Sequence, residues 1–251
     1  MTLAVPDNPF TRVFVEAGDL GATKRSLPAS RLLGAVKSGE ADAALVSPLD
    51  LVGDHEGVVV SGNYGVAIEA DVSNAYLYFD ENDDELERLR LGGDVSRHDA
   101  ILATVVFREL YGVAPSIVLT DDLDSNDGHL LIVGDANYVN DRYLRGQNFG
   151  ETVNETLSAP YVLHTLAARE PETLDLFHDR LGALNERVET VANEGDWRAH
   201  YPEAIVEDFL RDLSLVTFEF AEPHREALTA LARLPFFHGV ADDIPDFQVR
   251  Q

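Results

Sequence analysis

The sequence predicts an α/β protein with two lobes, a cleft between them and a helical C-terminal tail. Segments typical of strands alternate with segments typical of helices as far as residue 166, which favours sheets covered by helices. The runs Ser116–Leu119 and Leu130–Val133 are continuously apolar, as parallel strands are when both of their faces are covered. From Pro171 onward the pattern is helical throughout. We expect strand ends and helix starts of both lobes to face the cleft.

The first lobe begins with a strand over Thr2–Val5 that stops at a turn cluster, Pro6–Pro9. Helices are predicted from about Pro9 to Ala17 and over Ser26–Val36, the second ending at Gly39. Apolar and β-branched runs predict three further strands, at Asp42–Val46, Val58–Val60 and Tyr64–Ile68.

The second lobe begins with a β-forming run, Ala75–Phe79, followed by an acidic loop over Asp80–Glu87. Ser96 is a good N-cap, with Asp99 three residues later as an imperfect capping box, and Gly112 ends that helix. Tyr161–Leu166 is expected to be the strand that returns to the first lobe. We therefore place residues 1–76 and 166–251 in lobe I and residues 77–165 in lobe II.

Three helices are predicted in the C-terminal tail. Pro171 opens a long amphipathic helix that continues to Val191, Pro202 opens a second, and Glu222 begins a third.

The charge is strongly acidic: 19 basic residues against 45 acidic ones give a formal net charge of −26. Self-repulsion of this size is relieved by concentrated salt, in which the Debye length falls to about 3 Å at 1 M. The composition therefore predicts a halophilic protein, with an ordinary acidic protein as the alternative. Nucleic acid and anionic membrane surfaces are disfavoured as partners because both require basic patches.

Several classes of site are excluded by missing motifs. The chain has no cysteine, which excludes disulfides, thiolate metal sites and Cys nucleophiles. It has no P-loop, no G-x-G-x-x-G after a strand and no G-x-S-x-G elbow. We expect neither a metal nor a cofactor. The first residues lack the basic region and sustained apolar core of a signal peptide, so we expect a cytoplasmic protein.

Four passages carry a resemblance to a known family: GEADAALVSPLD, SNAYLYF, SRHDAILATVVFRELYGVAPSIV, and LLIVGDANYVN followed by APYVLHTLAAR. In this order and spacing, the chain resembles the menaquinone biosynthesis family that includes chorismate dehydratase and dihydroxynaphthoate synthase. The resemblance implies a type II periplasmic-binding-protein-like fold. Gly134-Asp135 stands where the dihydroxynaphthoate synthase branch usually has His-Glu-Gly, so the chain is more similar to the dehydratase branch.

The resemblance implies a lyase that converts chorismate to 3-[(1-carboxyvinyl)oxy]benzoate, the first step of the futalosine route to menaquinone. Asn8 matches the family's functional Asn, although the surrounding Pro6-Asp7-Asn8-Pro9 departs from the dehydratase branch's usual Ser-Tyr-Leu-Asn-Thr-Leu-Pro. We assign Asn8 the catalytic position. Such a site binds a small carboxylate substrate, for which helix starts, hydroxyls and an arginine are suitable. The candidate substrate-binding residues are Ser47, Ser73, Asn74, Ser96, Arg97, Gly134 and Asp135.

Several of these residues have a purely structural alternative role. Ser96 can be only an N-cap, Arg97 only a solvated side chain and Asn8 only a turn residue. Ser47 can simply end a strand, and Gly134-Asp135 can serve a turn and a helix cap. His164 is expected to be a core histidine, and His98 and His129 are expected to be exposed. No general base stands out, which also suits a non-catalytic small-anion binding protein or sensor of the same fold. The oligomeric state is left open.

Overall fold

Two β-sheets and the helices packed on them make up the fold, seen in a computed structural model that describes residues 1–69, 73–81, 85–125 and 127–251. The strands in chain order are β1 (Thr2–Val5), β2 (Thr23–Ser26), β3 (Ala43–Val46), β4 (Val59–Ile68), β5 (Ala75–Tyr78), β6 (Arg88–Gly93), β7 (Ser116–Leu119), β8 (His129–Val133), β9 (Gln147–Asn148), β10 (Tyr161–Ala168), β11 (Val216–Glu219) and β12 (Gln248–Arg250). The α-helices are α1 (Pro9–Gly18), α2 (Leu32–Ser38), α3 (Arg97–Tyr111), α4 (Phe149–Leu157), α5 (Pro171–Leu181), α6 (Leu184–Glu194), α7 (Glu203–Arg211) and α8 (Glu222–Phe237).

The first sheet has the strand order β11-β4-β10-β3-β1-β2, with β12 lying parallel to β4. Its strands β1, β2 and β3 are parallel, whereas β10 runs antiparallel to both β3 and β4. The second sheet has the order β7-β6-β8-β5-β9, in which β6 is parallel to β7 and β8. We call the first sheet with its helices the first lobe and the second sheet with α3 and α4 the second lobe.

The chain passes between the lobes twice, once between β4 and β5 and once before β10. β5 pairs with β8 from Ala75 onward, and β10 pairs with β4 from Tyr161 onward. Residues 75–76 therefore hydrogen-bond in the second sheet and residues 161–165 in the first. The lobe boundaries at 76/77 and 165/166 remain a prediction from the sequence.

The helix cap predicted at Ser96 and the helix end predicted at Gly112 are present, and Asn8, expected in a turn, is also a helix cap. Asn8 caps α1, with its Oδ1 accepting from the Thr11 N–H at 3.0 Å. Ser96 caps α3, and the Asp99 carboxylate completes the box by accepting from the Ser96 N–H at 2.7 Å. Gly112 ends α3 in the left-handed region, at φ 68°. Both caps belong to strand-to-helix turns at the cleft edge.

Two elements of the first lobe differ from their predictions. The helix expected over Ser26–Val36 is wrong at its start: Ser26 ends β2, and a 3-10 turn at Ala29–Arg31 precedes α2. Pro28 accounts for this, because the residue before a proline is held away from helical backbone angles. The two strands expected at 58–60 and 64–68 are one strand, β4, since pairing with β10 and β11 carries it across Gly62 and Asn63.

Four further expectations are corrected. The tail after Pro171, expected to be helical throughout, also contributes β11 and β12 to the first sheet. Ser116–Leu119 forms β7, but it is an edge strand whose Leu119 side chain is 72% exposed, so its two faces are not covered. The long helix after Pro171 is two helices, α5 and α6, separated at Gly182. His98 and His129, expected to be exposed, are both buried. The acidic loop expected at 80–87 lies partly outside the described residues.

One apolar cluster runs through both lobes, with Leu3, Phe10 and Phe14 in the first and Leu89 and Leu131 in the second. Burial of such side chains stabilises the fold by roughly 1.5–3 kcal/mol each. The helices of the described ranges include none that is long and apolar enough to cross a membrane.

Candidate functional site

The two lobes meet at a crevice, which we call the interlobe cleft. The space it encloses is small, ≈ 10 Å³, about what one water molecule needs. The residues that line it come from both lobes and from the crossing segment: Pro6, Asp7, Asn8, Ala29, Ser47, Asn74, Asp94, Asp99, Val133, Gly134, Leu163 and His164.

Half of the predicted site residues meet in this cleft. Asn8, Ser47, Asn74 and Gly134 line it, although they are far apart in sequence. The other four do not line it: Ser73, Ser96, Arg97 and Asp135.

Ser47 is paired with His164, a residue that the sequence analysis assigned to the core. The Ser47 Oγ lies 3.1 Å from the His164 Nδ1. The His164 side chain is only 2% exposed, yet its Nε2 has no hydrogen-bond partner and the ring lines the cleft. Burial lowers the pKa of His164 to about 3, so the ring is neutral at pH 7. His164 is therefore an uncharged imidazole with one nitrogen available to a ligand.

Asn8 and Asn74 both line the cleft with amide side chains. The Asn8 Oδ1 is used as the cap of α1, which leaves its NH₂ group for a ligand. The Asn74 side chain is 8% exposed, and its Oδ1 is buried without a partner. The Asn74 carbonyl accepts from the Gly134 N–H at 2.7 Å, which fixes the crossing segment against the end of β8.

The backbone conformation at position 134 requires glycine. Its φ is +78°, and a Cβ there would lie 3.2 Å from the Asp94 Cβ. A side chain at this position would strain the backbone and displace Asp94 by a few tenths of an ångström.

Ser73 and Asp135 serve other contacts. The Ser73 Oγ donates to the Ala75 carbonyl and accepts from the Gly150 N–H at 3.1 Å, so it fastens the crossing segment to α4. The Asp135 carboxylate accepts from the Tyr201 Oη at 3.3 Å. Burial, followed by repulsion from Asp7, raises the pKa of Asp135 to about 6.

The start of α3 does not present the carboxylate grip that Ser96 and Arg97 were expected to form. Arg97 is exposed. The His98 N–H at this helix start donates to the Asp50 Oδ1 at 2.7 Å and to the Ser96 Oγ at 3.1 Å. Asp50 follows β3, so a carboxylate of the first lobe occupies the helix start of the second lobe.

Carboxylates dominate the charge of the cleft. Asp7 is paired with Arg12, at 2.7 and 2.8 Å. The Asp94 Oδ1 reaches from the second lobe to accept from the Ala29 N–H of the first at 2.8 Å. Burial is the main cause that raises the pKa of Asp99 to about 7, with nearby Asp50 adding to it. Among the lining residues in the described part of the chain there is neither Lys nor Arg.

The sequence analysis did not select His164, Asp94 or Asp99 as site residues. A signal for Asp94 was present, since Gly92-Gly93-Asp94 follows the alternating run Arg88–Leu91, as a turn after a strand does. No comparable signal marks His164, which stands inside the apolar strand β10. In the ranges described, no group of three or more His, Asp and Glu side chains is arranged to hold a metal ion.

No protein-family model and no curated protein matches the chain in sequence. Solved structures do match in fold. Protein AF1704 from Archaeoglobus fulgidus aligns with a TM-score of 0.65 and 12% identity over 95% of this chain and 97% of that one. The CA3427 gene product of Candida albicans, which exhibits the generic periplasmic binding protein structural fold, gives a TM-score of 0.65 and 13% identity over 98% and 92%.

A third match is the periplasmic aliphatic sulphonate binding protein SsuA from Escherichia coli, with a TM-score of 0.62 and 12% identity over 100% and 92% of the two chains. The chain has the periplasmic-binding-protein fold. The predicted two-lobed type II architecture is thereby confirmed. Identities this low establish the fold alone, and ligand and activity have to be argued from the cleft.

Proposed function

We propose that the chain binds one small molecule in the interlobe cleft. The observation that carries this proposal is the pair of buried, unpartnered polar atoms, the Asn74 Oδ1 and the His164 Nε2, in the same crevice. Leaving such an atom unsatisfied costs about 1–3 kcal/mol, and native proteins keep few of them. A ligand that hydrogen-bonds both atoms recovers that free energy.

Binding requires the lobes to part. A space of ≈ 10 Å³ holds no more than a water molecule, so any larger ligand enters only after the two sheets move away from each other. Closure around small ligands by movement of two lobes is a known behaviour of periplasmic binding proteins. A further structural match, the alkanesulfonate-binding protein SsuA from Xanthomonas axonopodis pv. citri, was solved bound to MOPS (TM-score 0.60, 11% identity, 98% and 94% coverage).

Dehydration of chorismate, the activity that the sequence resemblance implies, is the second candidate. The observation favouring it is an acid–base pair in the cleft: neutral His164 with a free Nε2, and Asp99 with a pKa of about 7. A base and a proton donor are what loss of water needs. His164 would take the proton from the ring carbon next to the hydroxyl-bearing carbon, and Asp99 would protonate the departing hydroxyl.

The negative charge of the cleft makes lyase activity the less favoured of the two candidate functions. Chorismate carries two carboxylates, whereas the described lining offers three aspartates and no Lys or Arg. At close range in a partly desolvated cleft, like charges repel strongly. The Arg12 guanidinium is already engaged by the lining residue Asp7.

One experiment separates the candidates. Purified protein is incubated with chorismate in molar KCl, product is followed by chromatography with mass detection, and binding is measured in parallel by saturation-transfer NMR. Lyase activity predicts carboxyvinyloxybenzoate with wild type and at least a tenfold lower rate with His164→Gln.

The matched control is His178→Gln, because His178 forms a second Ser–His pair, with Ser61 at 2.8 Å, outside the cleft. Intact chorismate with a cleft-dependent binding signal supports a binding protein without this chemistry. A binding signal that His164→Gln and Asn74→Ala leave unchanged contradicts the cleft as the site.

A further inference from the structure

The interlobe cleft offers hydrogen-bond acceptors in excess of donors. Carboxylates of Asp7, Asp94 and Asp99 line it, and the Asn74 Oδ1 adds a buried carbonyl oxygen with no partner. When its other nitrogen, Nδ1, donates to the Ser47 Oγ, the His164 Nε2 is an acceptor as well. The Asn8 NH₂ group is a donor left for a ligand, but acceptors outnumber donors, so a suitable ligand must mainly donate hydrogen bonds.

Four backbone donors around the cleft are already used by the protein itself. The Ala29 N–H is bound by Asp94, and the Ser96 N–H by Asp99. The His98 N–H is bound by Asp50 of the other lobe. The Gly134 N–H is bound by the Asn74 carbonyl at 2.7 Å. An anion entering here would therefore meet the protein's own carboxylates at the donors it requires.

The charge balance of the cleft also favours a cationic ligand over an anionic one. Arg12 offsets Asp7, but in the described chain no cation contacts Asp94 or Asp99. The unpartnered Asn74 Oδ1 and His164 Nε2, on side chains 8% and 2% exposed, distinguish this cleft from an ordinary solvated acidic cluster.

We propose that the cleft selects a small ligand with a protonated amine, whose ammonium group is held by Asp94 with Asn74 and His164 as further acceptors. An ammonium group has three donors and no acceptor, which matches this set. The inference rests on the proposed function, that the cleft binds a small molecule. Asp94 is then the residue that decides the charge of the ligand.

The test uses three probes of nearly equal size and different charge: ethanolamine (cationic), ethylene glycol (neutral) and glycolate (anionic). Each is titrated into the full chain at constant KCl concentration, with binding followed by saturation-transfer NMR and calorimetry. Ligands of four or five heavy atoms bind weakly, so millimolar affinity is expected for ethanolamine. Its binding should release protons, because a nearby cation lowers the pKa of a carboxyl group.

Asp94→Asn keeps the shape of the side chain and removes its charge. It should weaken ethanolamine binding by at least about tenfold, as expected for a lost charge-assisted hydrogen bond. Asp121→Asn, at an exposed surface position, is the control and should leave the affinity unchanged.

The outcomes separate this inference from the proposed function. Preference for glycolate, or equal binding of all three probes, with sensitivity to His164→Gln, overturns the amine inference and leaves a ligand-binding cleft. Absence of binding by the three probes, with chorismate also unbound, counts against both. Ethanolamine binding that is indifferent to Asp94→Asn overturns the role of Asp94.

Discussion

Asp99→Asn should stabilise the protein at alkaline pH, because the Asp99 carboxyl group is buried and its ionisation destabilises the folded chain. Burial raises the pKa of Asp99 from 3.8 to about 7 in the folded chain. Each factor of ten in proton affinity is worth about 1.4 kcal/mol, so the ionised carboxylate costs about 4 kcal/mol at pH 8. Since the pKa is higher in the folded than in the unfolded state, the cost is absent below about pH 4 and develops as the pH rises towards 7.

Asparagine keeps an oxygen for the Ser96 N–H, which the Asp99 carboxylate now accepts at 2.7 Å. Loss of the charged cap costs about 1 kcal/mol. The net expectation is a gain of about 3 kcal/mol in the free energy of unfolding at pH 8, falling below zero at pH 4, where only the loss of the cap remains.

The assay is urea denaturation at constant 2 M KCl, at several pH values from 4 to 8, for wild type and Asp99→Asn. Asp121→Asn serves as control, because it also removes one negative charge but from the surface. A difference between wild type and Asp99→Asn that does not change with pH would refute the reasoning. In the lyase candidate the same variant loses its proton donor, so stability should rise while activity falls.

Two other predictions concern salt and backbone. With a formal net charge of −26, the free energy of unfolding should rise between 0.15 and 2 M KCl, and a fall in urea midpoint over this range would contradict the halophilic assignment. Gly134→Ala should destabilise the fold by about 1–2 kcal/mol more than Gly112→Ala, because an added methyl group in a close contact costs about this much. Both glycines have positive φ, but a Cβ at Gly134 would lie 3.2 Å from Asp94, whereas one at Gly112 meets nothing within 4 Å. Equal losses of stability in the two variants would show that the contact with Asp94 is unimportant.

Much of the fold follows from local patterns in the sequence. The caps of α1 and α3 are set by Asn8 and Ser96, and the end of α3 by Gly112, through interactions within a few residues. The predictions are wrong where pairing between strands distant in sequence determines the structure. β4 continues through Gly62 because two neighbouring strands hydrogen-bond to it, and β7 lies at a sheet edge that its apolar sequence does not reveal.

The site was harder to predict than the fold. Residues at strand ends, such as Ser47 and Gly134, could be selected because the fold class places strand ends at the cleft. The Ser47–His164 pair joins residues 117 positions apart, and nothing local indicates it. At the start of α3, where a ligand carboxylate was expected beside Arg97, the Asp50 carboxylate of the other lobe accepts from the His98 N–H. Contacts of this kind depend on how the lobes meet.

The central claim, that a ligand binds between the lobes, is tested most directly by locking them together. Asp50 and Arg97 lie on opposite lobes beside the 2.7 Å contact of Asp50 with His98, and neither lines the cleft. Since the chain has no cysteine, Asp50→Cys combined with Arg97→Cys allows one defined disulfide. Binding of ethanolamine or chorismate, whichever binds wild type, is measured by saturation-transfer NMR before and after reduction. Our account predicts binding only in the reduced form; equal binding by the oxidised form would contradict it.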